Sequence, residues 1–302
     1  MIIYLKNMLK ENSESLYKKL CKTKFNFKED IMDKTIGFIG AGNMGYAMIK
    51  SIAQSDIVKA EQIYVYDVDM EKVSKLKDET GISILKSEKE IVEKCDIIIL
   101  AVKPNMLESV LESCKNSFND SKILVSVAVG VPIKFYKRII GEDKKVIRTM
   151  PNTPALVGEG MTLISPDDSI EKDELEYVMK IFTCFGKAEL LDEKLMSEVT
   201  ALTGSSPAYV FMFIEAMADA AVLSGIPRNL SYKLSAQAIL GSAKMLLETN
   251  KHPGELKDMV CSPAGTTSEA VSALEKNKFR YAVIEAMNEC TKKAREIGKK
   301  FE

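Results

Sequence analysis

The stretch Lys34-Thr35-Ile36-Gly37-Phe38-Ile39-Gly40-Ala41-Gly42-Asn43-Met44-Gly45-Tyr46-Ala47-Met48 begins as a short apolar run, passes through a G-x-G-x-x-G turn and continues with helical periodicity. It reads as a strand, a phosphate turn and a helix start. In such a turn Gly40 permits the tight bend, Gly42 lets the backbone approach a pyrophosphate, and Gly45 lets the helix pack closely on the strand. The free amides at the helix N-terminus, around Ala41, Asn43 and Met44, would hold the anion. Ile63-Tyr64-Val65-Tyr66-Asp67 follows as a second strand and ends in an acid about 20 residues on, where such folds bind a ribose diol. Together the two segments predict a dinucleotide site. Glycines alone could equally serve helix packing.

Working outward, strand and helix patterns alternate from Thr35 to about Phe185, with strands expected at Ile36–Ile39, Ile63–Tyr66, Ile82–Leu85, Ile97–Val102, Ile123–Val127, Val146–Met150, Met161–Ile164 and Ala188–Leu191. This alternation predicts an α/β fold with a doubly wound, mostly parallel Rossmann-type sheet. After about Glu193 the strand signals stop and helical periodicity takes over. The expected organisation is therefore an appended tail at 1–33 with no assignable role, a dinucleotide-binding domain at 34–193, and an all-helical domain at 194–302. Ala208–Leu223 is apolar nearly all round, so it must be buried on most faces. A second subunit can bury it as well as its own chain can, which favours a homodimer.

The 302 residues are 46% hydrophobic and carry a net charge of −1 with both signs spread along the chain. That excludes a polyanion or an anionic membrane as the main expected partner. The six cysteines are scattered, with no C-x-x-C pair, as expected of reduced thiols in the cytoplasm. No apolar run reaches the roughly 18 to 20 residues that a bilayer span requires. His252 is the sole histidine and sits in a turn before Pro253. No metal centre is expected.

Three further segments carry candidate chemistry. Leu100-Ala101-Val102-Lys103-Pro104-Asn105 ends a buried strand, where open α/β sheets place their ligands, and its backbone should flank the cofactor's ribose and nicotinamide. Lys103 reads equally as a cofactor contact or a solvated lysine. Thr203-Gly204-Ser205-Ser206-Pro207 reads as a helix start with Ser206 as N-cap. Ser262-Pro263-Ala264-Gly265-Thr266-Thr267-Ser268-Glu269 is the densest site. A Thr266–Glu269 capping box, or Ser262 capping Pro263, leaves a turn whose amides suit a carboxylate and whose hydroxyls both donate and accept. A small zwitterion or imino acid fits it better than a phosphate. Reduction of a ketone needs a proton donor, and none is evident; reduction of an iminium does not, because the substrate already carries its proton.

The run Val260-Cys261-Ser262-Pro263-Ala264-Gly265-Thr266-Thr267-Ser268-Glu269-Ala270-Val271 resembles the C-terminal signature of pyrroline-5-carboxylate reductases. The glycine turn, Ala101-Val102-Lys103-Pro104, Asn152-Thr153-Pro154 and Gly204-Ser205-Ser206-Pro207-Ala208-Tyr209 resemble the family's other landmarks in order, over about 35–300. The resemblance implies reduction of L-1-pyrroline-5-carboxylate to L-proline, the last step of proline biosynthesis, with NADPH or NADH. It also implies that Thr267 bonds the imine region while Ser262, Gly265 and Thr266, with Val260 beside them, hold the carboxylate. Domain-exchanged homodimers, sometimes stacked into larger rings, are implied as well. Asp67 leans the cofactor toward NADH, because its charge repels a 2′-phosphate. The competing readings are a β-hydroxyacid dehydrogenase-like oxidoreductase, for which the helix at Pro207 lacks a lysine, and a non-catalytic nicotinamide-binding protein.

Overall fold

The computed structural model describes residues 33–55 and 57–302. The expected tail at 1–33 lies outside the described residues apart from Asp33. The chain divides into two compact units. The first holds the described residues up to Gly204 together with Thr291–Glu302; the second is Ser205–Cys290.

The first unit is built on an eight-stranded sheet of order β3-β2-β1-β4-β5-β6-β7-β8. Its strands are β1 (Ile36–Ile39), β2 (Ile63–Tyr66), β3 (Ser83–Ile84), β4 (Ile97–Leu100), β5 (Ile123–Ser126), β6 (Lys145–Met150), β7 (Gly160–Pro166) and β8 (Gly186–Leu190). The helices are α1 (Asn43–Ala53), α2 (Met70–Thr80), α3 (Glu88–Lys94), α4 (Leu107–Cys114), α5 (Ile133–Ile140), α6 (Lys172–Thr183) and α7 (Met196–Val199). Side chains on β1 alternate between the two faces as the period of a strand dictates. Ile36 and Phe38 join the core with Met48, Ile49, Val73 and Phe182, whereas Ile39 joins the core with Ile91, Leu100, Leu111 and Tyr136. Each fully buried side chain of this size contributes about 1.5–3 kcal/mol. Gly37 makes the close approach of α3 possible, since a Cβ there would stand 2.6 Å from Ile91 Cγ2.

Strands β1 to β6 pair in parallel, then β7 lies antiparallel to β6. The cause is the connection between them, Pro151–Glu159, which is shorter than the dozen or so residues a parallel crossover needs. Strand β8 then returns parallel to β7 after α6. The parallel strands all end at one edge, where the glycine turn, Asp67, Ala101 and Asn152 follow β1, β2, β4 and β6.

The second unit is all helical: α8 (Ser206–Leu223), α9 (Arg228–Thr249), α10 (Pro253–Val260), α11 (Thr266–Lys276) and most of α12 (Phe279–Gly298). Within α8 only Ala218 is buried, while Phe211 is 59% exposed and Met212 68%. The burial expected of this helix is therefore not supplied by its own chain.

Glu193–Leu223 forms one helical run of 31 residues that is, by length and composition alone, apolar enough to cross a membrane. This corrects the expectation that no such run exists. Counting consecutive apolar residues stopped at Ser205-Ser206, Glu215 and Asp219, whereas a continuous helix carries its apolar character past isolated polar positions.

Candidate functional site

The glycine turn has the geometry that its spacing predicts. Gly40 has φ +101°, and a Cβ there would come within 2.7 Å of the Ala101 carbonyl oxygen. A Cβ on Gly45 would stand 2.4 Å from the Gly40 carbonyl oxygen, so α1 can start here only with glycine at that position. A Cβ on Gly42 would meet nothing within 4 Å. Packing therefore explains Gly40 and Gly45 but not Gly42, whose openness fits a dinucleotide phosphate seated on the first turn of α1. Ala41, Asn43 and Met44 supply the neighbouring backbone.

Asp67 ends β2 beside this turn. Its Oδ2 accepts from the Ala41 amide at 2.6 Å, and its Oδ1 accepts from the Asp69 amide at 2.9 Å. Asp69 caps α2 by accepting from the Lys72 amide, and that bond holds its carboxyl below the ordinary aspartate value. A cavity of about 240 Å³ opens between Gly40, Gly42, Asp67, Ala101, Val102 and Lys103, which places six of the predicted cofactor residues around one space. Pro104 adjoins it as the first residue of a short 3-10 turn, Pro104–Met106, and Lys103 is exposed at its rim. A glycine turn and a carboxylate on one space are the groups that a pyrophosphate and an adenosine ribose require.

Sequence reasoning missed some lining groups. Glu88 and Met106 border the same cavity. A second cavity of about 280 Å³ shares Gly42 with the first and is lined by Asn43, Tyr46, Lys72, Lys75 and Leu156. The signal for the lysines was present in their spacing, at the third and sixth residues of the helix that follows the ribose acid. A groove of about 470 Å³ lies elsewhere, beside Ile133, Lys137, Asp167 and Glu193. Its Lys137 is paired with Asp167, and its Glu193 with Arg148 and the Ile133 amide, and no glycine turn opens into it.

The second set of predicted residues forms one turn in the helical unit. Val260 ends α10 and is exposed, and Thr266 and Thr267 begin α11. The Ser262 carbonyl accepts from the Gly265 amide at 3.0 Å and from the Ser268 hydroxyl at 2.8 Å, which closes the turn on itself. Ser262 Oγ would lie 2.2 Å from a Cβ on Gly265, so glycine alone lets the hydroxyl lie against the helix start. Ala264 takes φ +54°, a left-handed conformation that costs an L-residue about 1–2 kcal/mol. Gly265 is the N-cap and makes no side-chain cap, so neither the Thr266–Glu269 capping box nor a Ser262 cap forms. The first amides of α11 remain available to an anion, with the Thr266 and Thr267 hydroxyls beside them. Likewise Ser206 is not an N-cap but the first residue of α8, and Ser205 before it makes no side-chain cap. Ser205 Oγ instead accepts from the Cys290 thiol at 3.1 Å, next to Tyr209, whose phenol burial pushes up.

Residues 193–297 match the family model for pyrroline-5-carboxylate reductase dimerisation, and residues 35–130 match the model for NADP oxidoreductase, coenzyme F420-dependent. The chain is 51% identical to pyrroline-5-carboxylate reductase of Escherichia coli strain K12 across 268 residues, 89% of this chain and 100% of the relative. It is 43% identical to the Methanosarcina acetivorans enzyme, over 89% of this chain and 99% of that one. Among solved structures, Plasmodium falciparum pyrroline carboxylate reductase with NADP bound superposes with a TM-score of 0.81 at 35% identity, over 89% of this chain and 100% of that chain. With relatives this similar along their whole length, the chain belongs to the pyrroline-5-carboxylate reductase family.

Proposed function

We propose that the protein reduces L-1-pyrroline-5-carboxylate to L-proline with NADPH or NADH, the last step of proline biosynthesis. The observation that carries this reading is the pair of open helix starts. One, at Gly42, suits a dinucleotide phosphate; the other, at Gly265–Thr267, has hydroxyls around it and suits a carboxylate with an adjacent nitrogen.

The bound cofactor supplies a hydride to the imine carbon, and the C=N π pair passes to nitrogen. The amides of the Gly40–Gly45 turn hold the pyrophosphate, Asp67 accepts from the ribose hydroxyls, and the Ala101–Pro104 backbone borders the nicotinamide ribose. Ser262 and the backbone around Gly265 and Thr266, with Val260 beside them, hold the substrate carboxylate. Thr267 accepts from or donates to the imine nitrogen. An iminium substrate needs no general acid, so orientation by these groups supplies most of the rate enhancement. The lean toward NADH rests on Asp67, and the lysines beside Gly42 oppose it.

Within residues 194–302, the helical unit Ser205–Cys290 serves as the substrate-binding and dimerisation domain, and residues 34–193 carry the cofactor site. A homodimer covers the exposed face of α8, and dimers are the building unit of any larger ring. Cys95, Cys114, Cys184, Cys261 and Cys290 are free thiols, which supports a cytoplasmic setting.

Steady-state oxidation of NADPH and of NADH by the purified protein, with and without pyrroline-5-carboxylate, tests the reading. Turnover that depends on pyrroline-5-carboxylate is expected. Binding of the nicotinamide without turnover would leave only a cofactor-binding protein.

A further inference from the structure

Asn152 stands just beyond the carboxyl end of β6 and is 9% exposed. Its carboxamide serves two backbone groups far away in sequence. Oδ1 accepts from the Met161 amide at 2.9 Å, at the opening of β7, and Nδ2 donates to the Thr203 carbonyl at 3.0 Å. Thr203 belongs to a π-helical turn, Thr200–Gly204, between α7 and α8. Such a turn widens the helix and takes its carbonyls out of the usual bonding pattern, and π-turns concentrate at functional sites. The π-turn lies at the ligand edge of the sheet, since a Cβ on Gly204 would stand 3.9 Å from Met150 Sδ at the end of β6.

The opposite side of Asn152 leads to the cofactor turn. The residues after it form a 3-10 turn, Thr153–Val157, that packs on α1, and Leu156 lines the second cavity together with Ala41 and Gly42. One buried side chain thus joins the segment resting on the cofactor helix to the turn from which α8 starts.

We propose that Asn152 is a positioning residue for hydride transfer. By holding the Thr203 carbonyl, it fixes the backbone of 200–204 at the ligand edge of the sheet, beside the segment that rests on the cofactor helix. The proposal rests on the reductase reading above.

Asn152→Asp is the decisive variant. A carboxylate still accepts from the Met161 amide but cannot donate to Thr203, and only its protonated form restores the donor. At neutral pH, kcat/KM for pyrroline-5-carboxylate should fall about tenfold or more, as for a buried acceptor left without its donor, while Kd for NADPH changes by less than about twofold. The ratio of variant to wild-type kcat/KM should then recover as pH is lowered from about 8 toward 5.5, because a buried aspartate facing a carbonyl titrates above its usual range. Asn152→Ala should stay low at every pH. Hydrogen exchange should show the amides of 200–206 opening faster in Asn152→Asp than in wild type. Should that variant fail to fold, Asn152→Gln, which displaces the same groups by one methylene, should give the same split between kcat/KM and cofactor Kd. A pH-independent ratio, or a cofactor Kd that weakens in step with kcat/KM, would overturn the proposal. Wild-type protein without turnover would sink the reductase reading instead, and the exchange data would still report on the Thr203 contact.

Discussion

The amide of Ala41, in the middle of the glycine turn, donates to Oδ2 of Asp67 across 2.6 Å. The acid at the end of β2 and the glycine turn are therefore fixed to each other by the protein itself. With the Asp69 amide on Oδ1, each oxygen keeps a further lone pair for a ribose hydroxyl. Asp67→Ser removes the charge that opposes a 2′-phosphate while Lys72 and Lys75 remain. The ratio of kcat/KM for NADPH over NADH should rise by about tenfold, the size of one to two kcal/mol of screened charge interaction. Replacing both lysines by alanine should lower the same ratio. A wild-type enzyme that already prefers NADPH strongly would refute the role given to Asp67.

Gly42 and Gly45 lie in the same motif but should fail differently. Gly45→Ala drives a methyl group to 2.4 Å from a backbone oxygen, so thermal unfolding should show a loss of about 1–3 kcal/mol, as for overpacked sites. Gly42→Ala has space and should keep its Tm within a degree or two, yet raise KM for the nicotinamide cofactor about tenfold by filling the place of the phosphate. Equal Tm losses in the two variants would show that both glycines only pack.

Thr267 is half-buried at the first turn of α11. Losing a neutral hydrogen bond costs roughly 0.5–1.5 kcal/mol, and more where the partner is left unsatisfied. Thr267→Ala should accordingly lower kcat/KM for pyrroline-5-carboxylate about tenfold with little change in cofactor Kd, and Thr267→Ser should recover most of the loss. Wild-type kinetics in the alanine variant would move the substrate contact elsewhere in the 262–267 turn.

Phe211, Met212 and Leu223 leave an apolar face of α8 open within one chain, Leu223 being 90% exposed. Light scattering of the purified protein should show at least a dimer, and Phe211→Glu should shift it toward monomer with loss of turnover. A wild-type monomer with full activity would remove the dimer reading.

Burial pushes the thiols of Cys95 and Cys114 up to about 12 from an ordinary value of 9.0. Both are held neutral in the folded chain, so the stability they contribute is complete below about pH 9 and is lost as pH rises toward 12. The urea midpoint should therefore fall with increasing slope above pH 9. Cys114→Ala should make that slope shallower, whatever its effect at pH 7. An unchanged slope would show that Cys114 is not held neutral by burial.

The sheet could be read from the sequence because its strands are short apolar runs separated by helical patterns, and every expected strand lies within a few residues of an observed one. The reversal of β7 was not read, although its cause, the short Pro151–Glu159 connection, is a matter of length. The capping roles of Ser206, Ser262 and Thr266 failed for a common reason. A hydroxyl at a helix start has several partners within reach, and spacing cannot tell a cap from Ser262 lying against Gly265 or Ser205 accepting from Cys290. In the sequence Asn152 stands out only within the landmark Asn152-Thr153-Pro154, because its two partners lie 9 and 51 residues away.

The sheet unit is discontinuous in sequence: residues 291–302 return to it after the whole helical unit, and Phe301 meets Phe135 edge to face with ring centroids 5.1 Å apart. During vectorial synthesis on the ribosome, the strands and helices up to Gly204 emerge first but lack the segment that covers α5. The helical unit must be translated in full before that segment arrives. A nascent chain thus spends the intervening time with the Phe135 side of α5 uncovered, and completion of the first unit follows synthesis of the second.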